Sequence, residues 1–203
     1  MLTNRQFLLT FLLLFTVIFV ANSLSLSAQD FKQVKSQQLK PEKYSDCGLT
    51  PEAKSLAELV INDPLQTRPA LICNKLLSRV ADAKAKEMAE LGRVSHIGRS
   101  AANRRLIEGG YKLAAIYPRM FENNVEAIAG GIKDPGETWE AFKESLGHRT
   151  HLLAENEFYR IQNEIGVGFY KDLNSPHIYY WVIFIAHQTS NVPFAGEVAK
   201  SKD

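Results

Sequence analysis

The feature that most constrains the fold is a short segment, residues 178–186, in which nearly every position is apolar or aromatic. A run of Tyr, Trp, Val, Ile and Phe side chains is typical of a β-strand that is buried on both faces. Residues 161–170 alternate weakly and predict a second strand, and the polar loop 171–176 predicts that the two strands form an antiparallel hairpin. We therefore expect helices to cover both sides of a sheet built around this hairpin.

Several segments carry the apolar spacing and the end signals of helices. Thr50-Pro51 is typical of a helix N-terminus, and Gly92 is typical of a residue that follows a helix. The predicted helices are residues 51–62, 74–91, 100–106, 134–146 and 148–154. Helices on both faces of a central antiparallel sheet predict an α+β fold, specifically a three-layer α-β-α sandwich.

The ends of the chain differ from its middle in composition. Arg5, an apolar run at 7–20 and the small residues at 23–28 indicate a signal peptide over residues 1–28, cleaved near Ala28. The alternative is a retained membrane anchor, but the run is shorter than the roughly 20 residues that a span needs. After cleavage we expect no membrane span and a secreted or periplasmic protein. A polar linker is predicted at 29–45, the folded domain at 46–190 and a flexible tail at 191–203.

The charge of the chain indicates which partners to expect, and its cysteine content indicates whether a disulfide can form. The 24 basic and 22 acidic residues give a net charge of +2 without a clustered basic face, so we expect no nucleic-acid partner. Lys84 and Lys86 alternate with Glu87 and Glu90, which predicts a solvated helix face. The two cysteines, Cys47 and Cys73, are expected to form a disulfide in an exported protein; the alternative is two separate buried thiols.

Titratable side chains stand in three short motifs that are far apart in the sequence. They are Ser-His-Ile-Gly at 95–98, Glu-Ala-Ile-Ala at 126–129 and Ser-Leu-Gly-His-Arg at 145–149, and a Gly-Val-Gly motif follows at 166–168. His96, Glu126 and His148 can meet only in the fold. Two imidazoles and a carboxylate can hold a divalent metal, move protons, or hydrogen-bond into a rigid floor.

The order of these motifs resembles the CAP superfamily, which includes cysteine-rich secretory proteins, antigen 5 allergens and plant pathogenesis-related proteins. The similarity to its compact bacterial members covers roughly residues 50–188. It implies the α-β-α sandwich and a cleft lined by His96, Glu126 and His148. Because some members bind zinc or other divalent metals in this cleft, the resemblance makes the same three residues candidate metal ligands.

Two kinds of departure from the family pattern concern the cleft. Ala127 and Leu146 stand where the family has Asn and Pro. The second acidic residue of eukaryotic members has no aligned counterpart, and Glu140 and Glu144 are candidates by proximity alone.

An additional histidine, His151, follows His148 by three residues and would share its face of a helix. It is a candidate third nitrogen ligand, or a hydrogen-bonding partner that fixes the tautomer of His148. The alternative is an ordinary surface residue of the helix. His177 and His187 are interpreted as structural.

These features favour a secreted CAP-type binding module for a small apolar ligand, a lipid or a peptide, with or without a divalent metal such as zinc as cofactor. One alternative is a hydrolase that uses water activated by His and Glu, with or without the metal. Another is a structural or interaction module. The sequence has no Gly-x-Ser-x-Gly nucleophile motif, so catalytic residues are not assigned and a binding role is preferred to an enzyme. The sequence assigns no oligomeric state.

Overall fold

The computed structural model describes residues 43–117 and 121–189. The predicted signal peptide, most of the predicted linker and the predicted tail therefore lie outside the described residues. The helices and strands of the described chain occur in the following order: α1 Pro51–Asn62, β1 Ile72–Cys73, α2 Lys75–Leu91, α3 Ala102–Glu108, β2 Glu126–Gly130, α4 Pro135–Glu144, α5 Leu146–Leu152, α6 Glu157–Arg160, β3 Glu164–Lys171 and β4 Tyr179–Ala186.

The four strands form one sheet in the order β1-β3-β4-β2. β4 is antiparallel to both of its neighbours, and Trp181 pairs with Phe169 of β3 and with Ala129 of β2. The predicted hairpin and the internal position of β4 are confirmed.

The predicted antiparallel sheet is wrong at one edge, because β1 runs parallel to β3 and the sheet is mixed. Ile72 pairs with Glu164, and Cys73 pairs with Ile165. A parallel pair needs a long connection, and here the chain between the two strands includes α2 to α6. Two residues are also too few to show the alternation that reveals a strand in a sequence.

The side chains of β4 alternate between two hydrophobic clusters. Trp181, Ile183 and Ile185 belong to a cluster with the apolar faces of α1 and α4. Val182 and Phe184 belong to a cluster with those of α2 and α3. Because successive side chains of a strand point to opposite faces of a sheet, the clusters lie on opposite sides of β4. The apolar run is therefore explained by burial on both faces.

Two glycines of β3 allow α2 to lie directly on the sheet. A methyl group at Gly166 would overlap the backbone of Leu77 and Ser78, and one at Gly168 would overlap the backbone of Ala81. The Gly-Val-Gly motif is thus a packing requirement, since no side chain fits between strand and helix.

The ends of α1 and α2 follow the predicted capping chemistry, whereas the helix predicted at 100–106 is observed two residues later, as α3. Thr50 accepts a hydrogen bond from the Ala53 N–H at the start of α1, and the cap after α2 is Gly92 in the left-handed conformation. The helix predicted at 148–154 begins two residues earlier, at Leu146, because Ser145 separates it from α4.

The predicted disulfide between Cys47 and Cys73 is present, with a Cα–Cα distance of 4.5 Å. It links the segment before α1 to β1. The Cys47 carbonyl also accepts a hydrogen bond of 2.7 Å from the Val167 N–H. Closure of a loop of 26 residues stabilises the fold by about 3 kcal/mol in chain-entropy estimates.

Candidate functional site

A hydrogen-bonded pair, His96 and Glu126, forms one wall of a cleft. His96 lies in the loop after α2, and its Nδ1 is 2.8 Å from Oε1 of Glu126, the first residue of β2. Asn123 Nδ2 lies 3.0 Å from the same nitrogen but donates to the Glu126 carbonyl. Because an ionised carboxylate only accepts hydrogen bonds, we assign the proton of His96 to Nδ1, which donates it to Glu126. The Nε2 atom of His96 is then left with its lone pair for a ligand.

Asn123 fixes the backbone of Glu126 from the preceding turn. Its Oδ1 accepts from the Glu126 N–H and its Nδ2 donates to the Glu126 carbonyl, each at 2.9 Å. The Glu126 side chain is fully buried, so it supports the imidazole of His96 from behind.

His148, on α5, faces His96 across the cleft. The ring centroids are 6.5 Å apart and the planes are tilted by 48°. Phe142 contacts the His148 ring edge to face at 5.1 Å. Burial lowers the pKa of His148, and the nearby charge of His96 lowers that pKa further. His148 is therefore neutral near pH 7 and can act as a nitrogen ligand.

The cleft between these rings has a volume of about 230 Å³. Drug-sized ligands occupy pockets of about 300–1,000 Å³, so this cleft fits an ion or one end of a larger molecule. The structure brings His96, Glu126, His148 and His151 into its lining, which also includes Asn123, Asn124, Val125, Ser145, Gly147 and Tyr159.

His151 forms part of the floor of the cleft, so the alternative that it is a surface residue is wrong. Only 5% of it is exposed, because the inner face of α5 packs toward α6, where Tyr159 lies 4.8 Å away between ring centroids. Burial, reinforced by the charge of Arg68, lowers the pKa of His151 to about 3. Within the described chain its Nε2 has no hydrogen-bond partner.

The low pKa of His151 predicts that acid destabilises the fold well above the range of carboxylate titration. The unfolded chain binds a proton at this histidine near pH 6.5, whereas the folded chain does so only near pH 3. The contribution of His151 to the free energy of unfolding is therefore fully present above pH 6.5. Below pH 6.5 the free energy of unfolding falls by about 1.4 kcal/mol per pH unit. Urea unfolding at pH 7.5 and pH 5 should differ by about 2 kcal/mol. The difference should shrink in His151→Gln and persist in His177→Gln, and an unchanged slope in His151→Gln would contradict the assignment.

Arg68, which the sequence analysis did not select, holds the C-terminal end of α5. Its guanidinium is buried and donates to the carbonyls of four residues. The bonds are Nε to Tyr159 at 3.1 Å and to Gln162 at 2.7 Å, Nη1 to Leu152 at 2.7 Å and Nη2 to His151 at 2.7 Å. Burial lowers the pKa of Arg68 to about 10. An arginine in the loop between α1 and β1 gives no sequence signal of this role.

The prediction of a solvated face on α2 is wrong for two of its four charged residues. Lys86 and Glu90 are exposed, but Lys84 and Glu87 are buried. They are covered by α3 and by the loop that carries His96, from which Arg105 and the Arg99 N–H donate to Glu87. The fold thus places a charge cluster directly behind the cleft.

The donor set of the cleft fits a divalent metal in part. Two imidazoles that share a tetrahedral zinc, with Zn–N bonds of about 2.1 Å, have centroids about 5 Å apart. His96 and His148, at 6.5 Å, would therefore close by about 1 Å, while Glu126 would orient His96, a common arrangement behind metal-binding histidines. Among residues 43–117 and 121–189, no group of three His, Cys, Asp or Glu side chains has metal-site geometry.

The candidates Glu140 and Glu144, and the two histidines interpreted as structural, lie outside the lining of the cleft. Glu140 pairs with Lys143 at 2.8 Å, and Glu144 is exposed on the outside of α4. His187 contacts Asn163 at 3.1 Å, and His177 is exposed.

Comparisons with known proteins bear on the fold. No protein-family model and no curated protein match this chain. Among solved structures, the chain is similar to an outer surface protein from Borrelia burgdorferi, with a TM-score of 0.51 and 18% sequence identity. The match covers 68% of this chain and 93% of that chain. At this identity the likeness concerns the fold alone. Of the helices described for this chain, none is long and apolar enough to cross a bilayer.

Proposed function

We propose that this chain is an exported binding module of the CAP type, in which His96 and His148 hold a divalent cation such as zinc and the rim of the cleft binds a small apolar or peptide ligand. The observation that carries the proposal is the arrangement of the two imidazoles. His96 keeps its Nε2 free because Glu126 accepts the Nδ1 proton at 2.8 Å, and His148 faces it at 6.5 Å between centroids.

The rim of the cleft supplies apolar surface beside this polar floor. Ile97, Phe121 and Leu146 are 73%, 74% and 68% exposed, and each is within two residues of a cleft-lining residue. Three large exposed apolar side chains from three separate segments are suited to the apolar part of a ligand whose polar end enters the cleft.

Three observations support the family and the location. The hydrophobic clusters on the two sides of β4 agree with the three-layer α-β-α sandwich that we propose. The solved structure that this fold resembles is described as an outer surface protein. The disulfide is typical of an oxidising compartment, which supports a secreted or periplasmic protein.

Zinc titration by calorimetry tests the proposed function. His96→Ala and His148→Ala should each abolish measurable zinc binding without unfolding the protein, since neither ring is part of the hydrophobic clusters. Glu126→Gln should weaken binding about tenfold to hundredfold, as the loss of an orienting carboxylate does elsewhere. The exposed His177→Ala is the matched control. Retention of binding in both the His96 and His148 variants would eliminate this role.

The His96–Glu126 pair also favours a second candidate, a hydrolase in which Nε2 of His96 acts as general base for water or for the Ser145 hydroxyl in the same cleft. A pair of this kind orients a base in many hydrolytic sites. Hydrolysis of a peptide or ester library by the mature protein, lost in His96→Ala and in Glu126→Gln, would establish it. Turnover that persists in His96→Ala would exclude His96 as the base.

A further inference from the structure

Four charged groups are buried together behind the cleft. Lys84 and Glu87 lie on α2, Arg105 on α3 and Glu126 on β2, and their side chains are fully or mostly buried. Two are positive and two are negative, so the set is neutral as a whole. Buried charges are stable only when such partners are present.

Glu87 holds the loop that carries His96. Its Oε1 accepts from the Arg99 N–H at 3.0 Å, and Arg105 donates to both carboxylate oxygens at 2.9 Å. Gly98 lies directly against this carboxylate, where a methyl group would overlap it. The backbone of the loop is therefore shaped on a buried anion.

Lys84 stands beside the same loop. Its Nζ is 3.5 Å from Oε1 of Glu87 and would be 3.1 Å from a methyl group at Gly98. An ammonium has three donors, and in the described chain Lys84 uses one of them, in this long bond. Oε2 of Glu126 is a buried acceptor that likewise lacks a partner among the described residues.

The charge of Glu126 also acts directly on Lys84. Burial lowers the pKa of Lys84, and the negative charge of Glu126 is the largest influence in the opposite direction. The surplus donors of Lys84 and the unpartnered Oε2 of Glu126 therefore belong to oppositely charged groups that both border the loop 96–99, Glu126 at His96 and Lys84 at Gly98.

We propose that Lys84 is a positioning residue of the cleft, whose buried ammonium balances the carboxylate of Glu126 and so keeps Oε1 of Glu126 bonded to Nδ1 of His96. The inference rests on the proposed function at one point only, the use of the free Nε2 of His96 as a metal ligand. Without the ammonium, the carboxylate is buried with no counter-charge and turns toward water. His96 then loses the acceptor that fixes its tautomer.

The tautomer of His96 in the metal-free protein tests this directly. Two-bond ¹H–¹⁵N correlation spectra at about pH 8, where free imidazole is neutral, should give the Nδ1–H form alone in the wild type. Lys84→Met should give a mixture of both tautomers. Lys86→Met removes an exposed lysine of the same helix and should leave the spectrum unchanged. A pure Nδ1–H form in folded Lys84→Met would overturn the proposal.

A double-mutant cycle on zinc affinity separates positioning from general packing. Lys84→Met should weaken binding about tenfold in the wild-type background and less than twofold in a Glu126→Gln background, because its effect passes through Glu126. Equal losses in the two backgrounds would contradict the proposal. If the wild type binds no zinc, the proposed metal role fails, and the tautomer spectra still decide the role of Lys84.

A Lys84→Met protein that does not fold is also informative. The combination with Glu126→Gln removes one charge of each sign and restores a balanced set. Thermal unfolding should then show that Glu126→Gln rescues the fold of Lys84→Met. A double variant that unfolds as readily as Lys84→Met alone would overturn the proposed balance.

Discussion

Replacement of Arg68 by methionine is expected to lower the free energy of unfolding by about 3 kcal/mol or more, since it removes four hydrogen bonds from a charged donor and takes from the Gln162 carbonyl its donor, at a cost of about 1–3 kcal/mol for an unsatisfied acceptor. The substitution removes the charged donor from the carbonyls of His151, Leu152, Tyr159 and Gln162. Three of them keep a second donor, which is the Ala154 N–H for His151, Gln66 Nε2 for Leu152 and the Gln162 N–H for Tyr159. These carbonyls lie at or just after the C-terminal ends of α5 and α6, where the backbone donors of a continuing helix are missing. A loss of this size is a large part of the roughly 5–15 kcal/mol that stabilises a typical domain.

Urea unfolding monitored by circular dichroism measures the effect of Arg68→Met. Arg93→Met is the matched control, because Arg93 is exposed after the end of α2, and it should change stability by no more than about 0.5 kcal/mol. Arg68→Lys keeps the charge but not the planar fork of donors, so an intermediate loss is expected. If Arg68→Met unfolded within about 1 kcal/mol of the wild type, the carbonyls would not depend on this side chain.

Gly168→Ala is the second substitution for which we expect a severe effect, a loss of about 3 kcal/mol or more, at the upper end of what overpacking costs. The added methyl group would overlap the backbone of Ala81. Two backbones cannot yield by changing a rotamer, so α2 has to move away from the sheet. The loop with His96 follows α2 directly, and the predicted loss therefore extends to zinc binding.

Gly147→Ala is the matched control for this substitution. Gly147 lies within α5, and no atom would approach its added methyl group within 4 Å. Alanine is a better helix former by about 1 kcal/mol, so the control should keep or raise stability. A Gly168→Ala protein with wild-type thermal unfolding would show that α2 and β3 are not in close contact in solution.

The sequence allows β4, the hairpin and the capped ends of α1 and α2 to be predicted, because burial on both faces and capping leave local patterns. β1 leaves none, since its two residues are defined by a partner far along the chain. The histidines and Glu126 were selected from their motifs, and the fold brings them into one cleft. Their joint use as ligands stays a prediction.

The roles of Arg68 and Lys84 cannot be predicted from local sequence patterns, because both depend on tertiary contacts. Lys84 follows the apolar spacing of α2 together with Val80, Ala81 and Met88, yet a lysine in such a position is usually interpreted as solvated. Its burial depends on α3 and on β2, which join the same site only in the tertiary structure. The acceptors of Arg68 likewise stand more than 80 positions away.

The disulfide has a mechanical consequence for any tension applied at the N-terminal end of the described chain. Force that enters at Lys43 reaches Cys47, where the covalent bond carries it to Cys73 and the backbone bond carries it to Val167. Residues 48–72, including α1, then lie in a closed loop that the load bypasses. Tension would be transmitted to β1 and β3 at the edge of the sheet, while α1 stays seated on its hydrophobic cluster. Reduction of the disulfide would place α1 in series with the load and make it the first element to extend.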